Sequence, residues 1–272
     1  MADKTLSRGD IWFDILTHGY TLRTEQCASI RVADGQFAGK PARMIAVVPD
    51  PDNHYPRAAK GEVGLLEGWT LGKVVAEAIE QDKAKDKADK RAIIAIIDVP
   101  SQAYGRREEA FGIHLALSAA AGTYAKARLA GHPVIGLIVG KAMSGAFLAH
   151  GYQANRLIAF NDSGVLIHAM GKASAARITK RTVDSLTELA STIPPMAYDI
   201  ANFAKLGLLE NLLDIADPSS PTEAETALVI QTITDAIEKA RTSPVSLDNR
   251  LGSPHRAATS KVRDMMREQW TA

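Results

Sequence analysis

One apolar run that passes directly into a stretch of small residues most constrains how this chain folds. The run, residues 133–139, is short, rich in β-branched side chains and glycine-bounded, which is typical of a buried strand. Residues 140–150 predict a turn into a helix, and the small residues Ser144, Gly145 and Ala146 leave its backbone accessible. Because the first turn of a helix has unpaired N–H groups, this pattern predicts a site for negative charge on oxygen. Close packing of the helix on a sheet is the alternative, and spacing alone does not separate the two.

A second apolar run, residues 92–97, also predicts a buried strand and is followed by a loop. Pro100 ends this strand, and Ser101 and Gln102 come directly after it. A helical segment separates the two runs, so the order of elements predicts parallel neighbours in an α/β sheet. The two loops then share one edge of the sheet, where their backbone donors face one cavity.

The remaining pattern predicts further elements of a single domain over residues 1–272, with a helical C-terminal part. The predicted helices are residues 65–79 and 107–129, with a helical or strap-like edge within 1–24. The other predicted strands are residues 27–33, 43–48, 155–160 and 164–170. Asp34 and Gly35 predict a break after the first of these strands, and the alternating charges of 81–91 predict a solvated helix end or loop.

The composition argues against several function classes. The 272 residues carry 32 basic and 31 acidic side chains, a formal net charge of +1, which favours neither nucleic acid nor an anionic membrane as partner. Cys27 is the single cysteine, which excludes an intrachain disulfide and a thiolate metal cluster. The first residues lack the apolar core of a signal peptide, and no run approaches the ~20 apolar residues of a membrane span. We therefore expect a cytoplasmic protein with no nucleic-acid or membrane partner.

Common catalytic motifs fit the sequence poorly. Ser144 stands at a predicted strand-to-helix turn, where many hydrolases carry a nucleophile, but Met143 precedes it and the glycine-serine elbow is absent. The seven histidines include no adjacent-turn pair, so we expect no metal site. Residues 140–145 also lack the glycine pattern of a dinucleotide site and the glycine-lysine-serine loop that binds phosphates.

Basic side chains after the last predicted strand are candidates for holding a substrate anion. They are Lys172, Arg177, Lys180 and Arg181. Such a cluster could pair with a carboxylate or a phosphate, although a solvated helix face is the ordinary alternative. We expect Lys172 and Arg177 to bind substrate, together with His150 at the end of the small-residue stretch.

The order of these motifs resembles a known superfamily. The motifs are residues 98–100, a helix containing Glu109, Gly112, Ile113 and His114, and residues 140–147, 158–160 and 169–171. They resemble the carboxyltransferase branch of the crotonase superfamily, and within it the gamma subunits of biotin-independent malonate decarboxylases, over essentially the whole chain. The resemblance implies an α/β, crotonase-like fold, the ββα-superhelix of a carboxyltransferase domain.

The resemblance also implies an oxyanion hole, a pair of N–H donors that stabilises negative charge on oxygen. Gly145 falls where one donor arises, next to Ser144 and Ala146 in the same turn, and the loop of Ser101 and Gln102 falls where the other arises. Two departures from the superfamily narrow the chemistry. Leu148 stands where enoyl hydratases place an acid, and Met143 stands where the Clp proteases place their serine. Water addition and proteolysis both lose support.

The implied activity is decarboxylation by one part of a larger enzyme. With a homologous beta subunit, such a chain converts malonyl-S-acyl carrier protein to acetyl-S-acyl carrier protein and CO2, the oxyanion hole stabilising the enolate. The resemblance implies no cofactor on this chain, because the acyl carrier protein subunit delivers the malonyl group on a modified dephospho-coenzyme A arm. An acyl-transferase alpha subunit is the third implied partner.

Two other functions stay open at this point. The chain could be a carboxyltransferase subunit of a biotin-dependent decarboxylase or carboxylase, which transfers the carboxyl group instead of releasing it. It could also be a non-catalytic crotonase-like scaffold that only assembles a partner. An assay with carboxybiotin separates the first from a decarboxylase, and disruption of Gly145 tests the second.

Overall fold

The computed structural model describes residues 6–25 and 27–270 of the chain, and its centre is one mixed sheet. The strands are β1 (Thr21–Arg23), β2 (Ile30–Phe37), β3 (Lys40–Val47), β4 (Ala92–Val99), β5 (Val134–Met143), β6 (Arg156–Phe160), β7 (Ile167–His168) and β8 (Asn211–Leu213). Their order in the sheet is β1-β2-β3-β4-β5-β6-β8, and β7 pairs with the end of β5. The first two pairings are antiparallel, and the pairings from β3 to β8 are parallel.

Ten α-helices lie in the described part of the chain. They are α1 (Arg8–Leu16), α2 (Leu65–Gln81), α3 (Arg106–Ala110), α4 (Ile113–Leu129), α5 (Ser144–Ala149), α6 (Lys172–Ile178), α7 (Val183–Thr192), α8 (Ile200–Lys205), α9 (Glu223–Thr242) and α10 (Ala257–Gln269). Within residues 6–25 and 27–270, no helix combines the length and apolarity needed to cross a membrane.

The core is built on β4 and β5, whose apolar runs are buried along both strands. Side chains of a strand alternate between the two faces of its sheet, and β4 shows this near its end. Asp98 lies against Gly9 of α1, whereas Ile97 lies against Gly151, just after α5. Both faces of these strands are therefore covered, as the continuous apolar runs predict.

Several element boundaries differ from those predicted by the sequence, among them the end of β5, which continues to Met143, four residues beyond the predicted strand 133–139. β2 continues through Asp34 and Gly35 to Phe37, because the Asp34 carboxylate pairs with buried Arg43 of β3 (2.7 Å) and the ring of Tyr20 occupies the space beside Gly35. The predicted helix 107–129 divides into α3 and α4 at Gly112, whose φ of +81° an α-helix does not allow. The predicted strand 164–170 shortens to the two residues of β7.

Other predicted features are confirmed. The apolar edge near the N-terminus is a helix, α1, with Trp12 and Phe13 fully buried. The alternating charges of 81–91 form an exposed helix end and loop, apart from Asp82, which is buried and accepts hydrogen bonds from Arg91 (2.8 and 2.9 Å). The C-terminal part is helical, and none of the residues of α10 is buried against the described chain.

Candidate active site

The two strands that end at the candidate site are neighbours in the sheet. β4 and β5 run parallel with Val99 opposite Ala142, so their carboxyl ends reach the same edge. Gln102, in the loop after β4, consequently lies beside Gly145 at the start of α5. A Cβ atom on Gly145 would overlap Oε1 of Gln102, so the Gln102 side chain keeps its place only because residue 145 is glycine.

A hydrogen-bonded bridge fixes the backbone of the loop around Gln102. Val63 donates its N–H to the carbonyl of Ser101 (3.0 Å), and Ala103 donates its N–H to the carbonyl of Val63 (2.8 Å). In a parallel bridge of this kind, the residue between the two bonded residues, here Gln102 between Ser101 and Ala103, points its N–H away from the neighbouring segment. The N–H of Gln102 therefore points away from Val63, and it has no backbone acceptor among the described residues.

The turn between β5 and α5 concentrates its backbone strain at Ser144. Ser144 has a φ of +57°, in the left-handed region that residues other than glycine rarely adopt. Gly145 has no positive φ, so its lack of a side chain provides space and not conformational freedom. Because α5 has only six residues, its macrodipole is small, and the donors here are the unpaired N–H groups of its first turn. Ala146 belongs to the same turn and is fully buried.

A largely apolar cavity of about 310 Å³ opens beside Ser144 and Gly145. Its other walls include Phe147, Leu148, Ile167, His168, Pro194, Pro195 and Phe203. Leu148 is 51% exposed and contributes no acid to the cavity. The hydroxyl of Ser144 forms no hydrogen bond within the part of the chain that the structure describes, whereas an activated serine nucleophile is hydrogen-bonded to its base.

His168 also lines this cavity, and sequence reasoning did not select it. It pairs with Met143 in the short β5–β7 ladder, which places it directly beside the turn that leads to Gly145. Its ring stacks on Tyr198 with centroids 3.9 Å apart. Burial lowers the pKa of His168, opposed by its contact with the backbone of Met170. The sequence signal for His168 was the predicted strand 164–170, which contains it. The register that places this strand beside the end of β5 is set by the tertiary structure.

The predicted substrate-binding cations lie outside the Gly145 cavity. Lys172, at the start of α6, lines an adjacent cavity of about 340 Å³ with its Nζ 5.4 Å from the centroid of the Tyr198 ring. Ala197 lines both cavities, so the two are neighbours. Arg177 is exposed near the other end of α6 and lines neither cavity.

His150 lies in the core, which contradicts its predicted contact with substrate. Its side chain has no exposed surface, and its Nε2 lies 3.0 Å from the carbonyl oxygen of Ile96. Its Nδ1 lies 3.0 Å from the hydroxyl of Tyr124. The carbonyl can only accept, so Nε2 carries the proton and Nδ1 accepts from Tyr124. Both nitrogens are thus occupied, and burial lowers the pKa of His150 to about 4.

Across residues 6–25 and 27–270, no three His, Cys, Asp or Glu side chains come together in a way that could hold an ion. Cys27 is buried beside Ser29 and Glu67, and burial, with the nearby Glu67 carboxylate, raises the pKa of its thiol to about 12. The polar groups at the Gly145 cavity include the backbone donors, His168 and the hydroxyl-bearing residues Ser144 and Tyr152.

Solved structures of high similarity share this arrangement of elements. A Pseudomonas malonate decarboxylase hetero-tetramer in complex with coenzyme A contains a chain 56% identical, with a TM-score of 0.93 over 97% of this chain and 100% of that chain. A Pseudomonas malonate decarboxylase MdcD-MdcE hetero-dimer contains one 54% identical, with a TM-score of 0.89 over 97% and 99%. Transcarboxylase 12S is 18% identical, with a TM-score of 0.63 over 87% of this chain and 40% of that chain, which shows the fold alone. The predicted crotonase-like carboxyltransferase fold is confirmed.

Sequence comparisons indicate the same family as the solved structures do. A malonyl-S-ACP:biotin-protein carboxyltransferase, MADD, of Malonomonas rubra is 34% identical over 225 residues, which is 81% of this chain and 76% of the relative. Residues 58–270 match the malonate decarboxylase gamma subunit family. That match covers most of the chain and includes both loops of the candidate site. The chain therefore belongs to the malonate decarboxylase gamma subunit family.

Proposed function

We propose that this chain, paired with a homologous beta subunit, decarboxylates a malonyl thioester through an oxyanion hole made by the N–H groups of Gly145 and Gln102. The observation that carries the proposal is the position of these residues side by side at the ends of two parallel strands, next to an apolar cavity. The Gly145 N–H belongs to the first turn of α5, and the Gln102 N–H points away from its only bridge partner, Val63. Both are donors without a backbone acceptor in the described chain.

Decarboxylation needs stabilisation of one developing charge. When the bond between the malonyl α-carbon and its carboxylate breaks, CO2 leaves and the electron pair passes into an enolate whose charge rests on the thioester oxygen. Preorganised N–H donors aimed at that oxygen supply several kcal/mol of barrier lowering. The bond-breaking step requires no general base, and the enolate then takes up a proton at the α-carbon to give the acetyl thioester.

The partners of the reaction follow from the same proposal. The structures with 54–56% identity are hetero-oligomers, which supports a beta subunit as the partner that completes the site. We further propose that the malonyl group arrives on an acyl carrier protein bearing a dephospho-coenzyme A-type arm, loaded by an alpha subunit, so that this chain holds no cofactor of its own. Lys172 lines the cavity adjacent to that of Gly145, and it is the proposed contact for an anionic group on that substrate. A cytoplasmic location stays a prediction.

A biotin-dependent carboxyltransferase is the second candidate. The observation that favours it is the 34% identity to the Malonomonas rubra enzyme, whose name describes transfer of a carboxyl group to a biotin protein. The higher identity to the Pseudomonas decarboxylase chains supports release of CO2 instead. Incubating the purified complex with malonyl carrier protein and a biotin-carrier protein separates the two, because only a carboxyltransferase forms carboxybiotin.

The proposal is tested by Gly145→Val in the complex with the beta subunit. The new side chain would displace the Gln102 amide and crowd the oxyanion, and loss of one such donor costs about 10²–10³ in rate. The subunit should still fold and still bind its partner, because the atom displaced is the end of a flexible side chain at the cavity edge.

Gly122→Val is the matched control, since a Cβ at Gly122, within α4, meets no other atom within 4 Å. Turnover, thermal stability and complex formation are measured on the same preparations. Near-normal turnover of Gly145→Val, or a loss no larger than that of Gly122→Val, would remove Gly145 from the mechanism. That result would instead support the non-catalytic scaffold that only assembles a partner.

A further inference from the structure

A buried carboxylate holds the start of α2, next to Val63, which bonds to the loop of Ser101 and Gln102. We call that loop the oxyanion loop. Glu67 is fully buried, and no lysine, arginine or histidine of the described chain forms an ion pair with it. Four groups donate hydrogen bonds to it instead. The donors are the hydroxyl of Ser29 (2.6 Å), the amide of Asn53 (2.8 Å) and the thiol of Cys27 (3.3 Å), all on Oε1, and the N–H of Gly64 (3.0 Å) on Oε2.

This arrangement is more specific than an ordinary helix cap. Gly64 is the N-cap residue of α2, and a carboxylate three residues into a helix commonly accepts its N–H. Here the same carboxylate also binds the residues before β2 and the loop after β3, so one side chain holds three separate segments together. Burial of an unpaired charge is costly, and it is tolerated only where hydrogen bonds satisfy the group.

Residues 63–64, which Glu67 fixes through Gly64, also bond to the oxyanion loop. Gly64 is adjacent to Val63, whose N–H and carbonyl bond to Ser101 and Ala103 on either side of Gln102. A Cβ on Gly64 would lie 3.2 Å from the Cβ of Ala103, so the two backbones are in close contact. The chain of contacts thus runs from the Glu67 carboxylate through residues 63–64 to the N–H of Gln102.

We propose that Glu67 is a positioning residue for the Gln102 arm of the oxyanion hole. The inference rests on the proposed function, because it requires that the Gln102 N–H meets the developing charge. Glu67 itself does not touch substrate. Its carboxylate fixes the position and orientation of residues 63–64. Through the bridge between Val63 and Gln102, it thereby keeps the Gln102 N–H directed at the oxyanion.

Two substitutions at Glu67 separate this role from simple stability. In Glu67→Gln, the amide oxygen can keep the three side-chain donors, which leaves an NH2 group facing the N–H of Gly64 and breaks the link to the loop. Glu67→Asp keeps an acceptor at this helix position, where Asp10 of α1 already accepts the N–H of its own N-cap residue, Ser7 (3.2 Å). Aspartate should therefore keep the link to Gly64 and retain more activity than glutamine, even though its side chain is one methylene shorter and draws back from Ser29 and Asn53.

The control is Asp82→Asn, a substitution of the other fully buried carboxylate of the same helix region. Asp82 follows α2 at its opposite end and accepts hydrogen bonds from Arg91, far along the chain from residues 63–64. The substitution Asp82→Asn should lower thermal stability, as Glu67→Gln does, without affecting the bridge between Val63 and Gln102.

The experiment uses the complex with the beta subunit and measures kcat, KM and amide hydrogen exchange. We expect Glu67→Gln to lower kcat by about 10²-fold, as for a misplacement on the order of 1 Å, with little change in KM. The amides of Val63 and Ala103 should exchange faster in Glu67→Gln, and not in Glu67→Asp or Asp82→Asn. Unchanged exchange at these amides, or a fall in kcat no larger than in Asp82→Asn, would overturn the inference. Full activity of Gly145→Val would instead overturn the proposed function, and the exchange data would still report whether Glu67 holds the loop.

Discussion

Ser144 combines a partly exposed position at the cavity with a strained backbone. Its left-handed conformation resembles that of a hydrolase nucleophile, but in the described chain no base contacts its hydroxyl. The strain has a simpler function here. A positive φ at residue 144 turns the chain sharply from β5 into α5 and brings the N–H of Gly145 to the edge of the sheet beside Gln102.

We predict that Ser144→Ala keeps substantial decarboxylase activity, because the reaction needs the backbone of this turn and not its hydroxyl. Ser144→Gly should raise thermal stability slightly, since a non-glycine residue in this region costs about 1 kcal/mol or more. Turnover and melting temperature of the complex check both results. Stoichiometric labelling of Ser144 by a serine-reactive phosphonate would show the opposite, a nucleophile.

His150 has a structural role that its pKa reports. Burial holds the pKa of His150 at about 4, below the ordinary value of about 6.5. Because the unfolded chain binds the proton more tightly, the stability due to neutral His150 is present above pH 6.5 and is lost as the pH falls through 4. The difference corresponds to about 3 kcal/mol.

We predict that replacing His150 by glutamine reduces the acid sensitivity of the fold. Between pH 7 and pH 4.5 the unmodified chain should lose about 2.5 kcal/mol more unfolding free energy than His150→Gln, since glutamine does not titrate. Urea unfolding of the purified chain at the two pH values measures this. The other buried histidines titrate in both proteins and cancel in the comparison. Equal losses of unfolding free energy in the unmodified chain and in His150→Gln would show that protonation of His150 does not destabilise the fold.

At the scale of elements, α2 and α4 pack against each other and expose large apolar side chains to solvent. They pack closely, since a Cβ on Gly68 would lie 2.9 Å from the carbonyl carbon of Ala116. Trp69, which follows Gly68, and Leu115, which precedes Ala116, are 67% and 65% exposed, and Phe111 shortly before α4 is 62% exposed. We call Trp69, Phe111 and Leu115 the apolar face. Large apolar side chains grouped on a surface mark sites of association.

We predict that the beta subunit covers the apolar face. Leu115→Glu should weaken the complex at least tenfold, the loss of about 1.4 kcal/mol or more that a buried anchor contributes. Leu129→Glu is the control, because Leu129 is 61% exposed on the same helix about 20 Å away, at 1.5 Å per residue. Affinities are measured by titration of labelled beta subunit. Equal affinities of the two variants would place the interface elsewhere.

At the scale of the whole molecule, the candidate site is open to solvent along one edge. Its cavity is bounded on one side by Leu148, which is half exposed, and by Ser144 and Gly145, which are partly exposed. Backbone donors stabilise an oxyanion strongly only where water is excluded. A second subunit over this edge would exclude it.

We therefore predict that the purified chain alone has no measurable decarboxylase turnover, and that adding the beta subunit restores it. Malonyl carrier protein is the substrate, and release of CO2 is measured over a range of beta-subunit concentrations. Activity should saturate as the complex forms. Robust turnover before the beta subunit is added would show that one chain contains a complete site.

The sequence by itself determined the parallel order of β4 and β5 and the two loops that follow them, because buried strands and small-residue turns leave strong local signals. It also identified the family, from motifs that recur in a set order. Only the tertiary structure decided which residues meet. Gly35 lies within a strand because Asp34 pairs with Arg43, and His150 lies in the core because Tyr124 and Ile96 occupy its nitrogens. His168 reaches the cavity through strand register, and Glu67 binds Ser29 and Asn53 through hydrogen bonds between distant segments, contacts that no local pattern encodes.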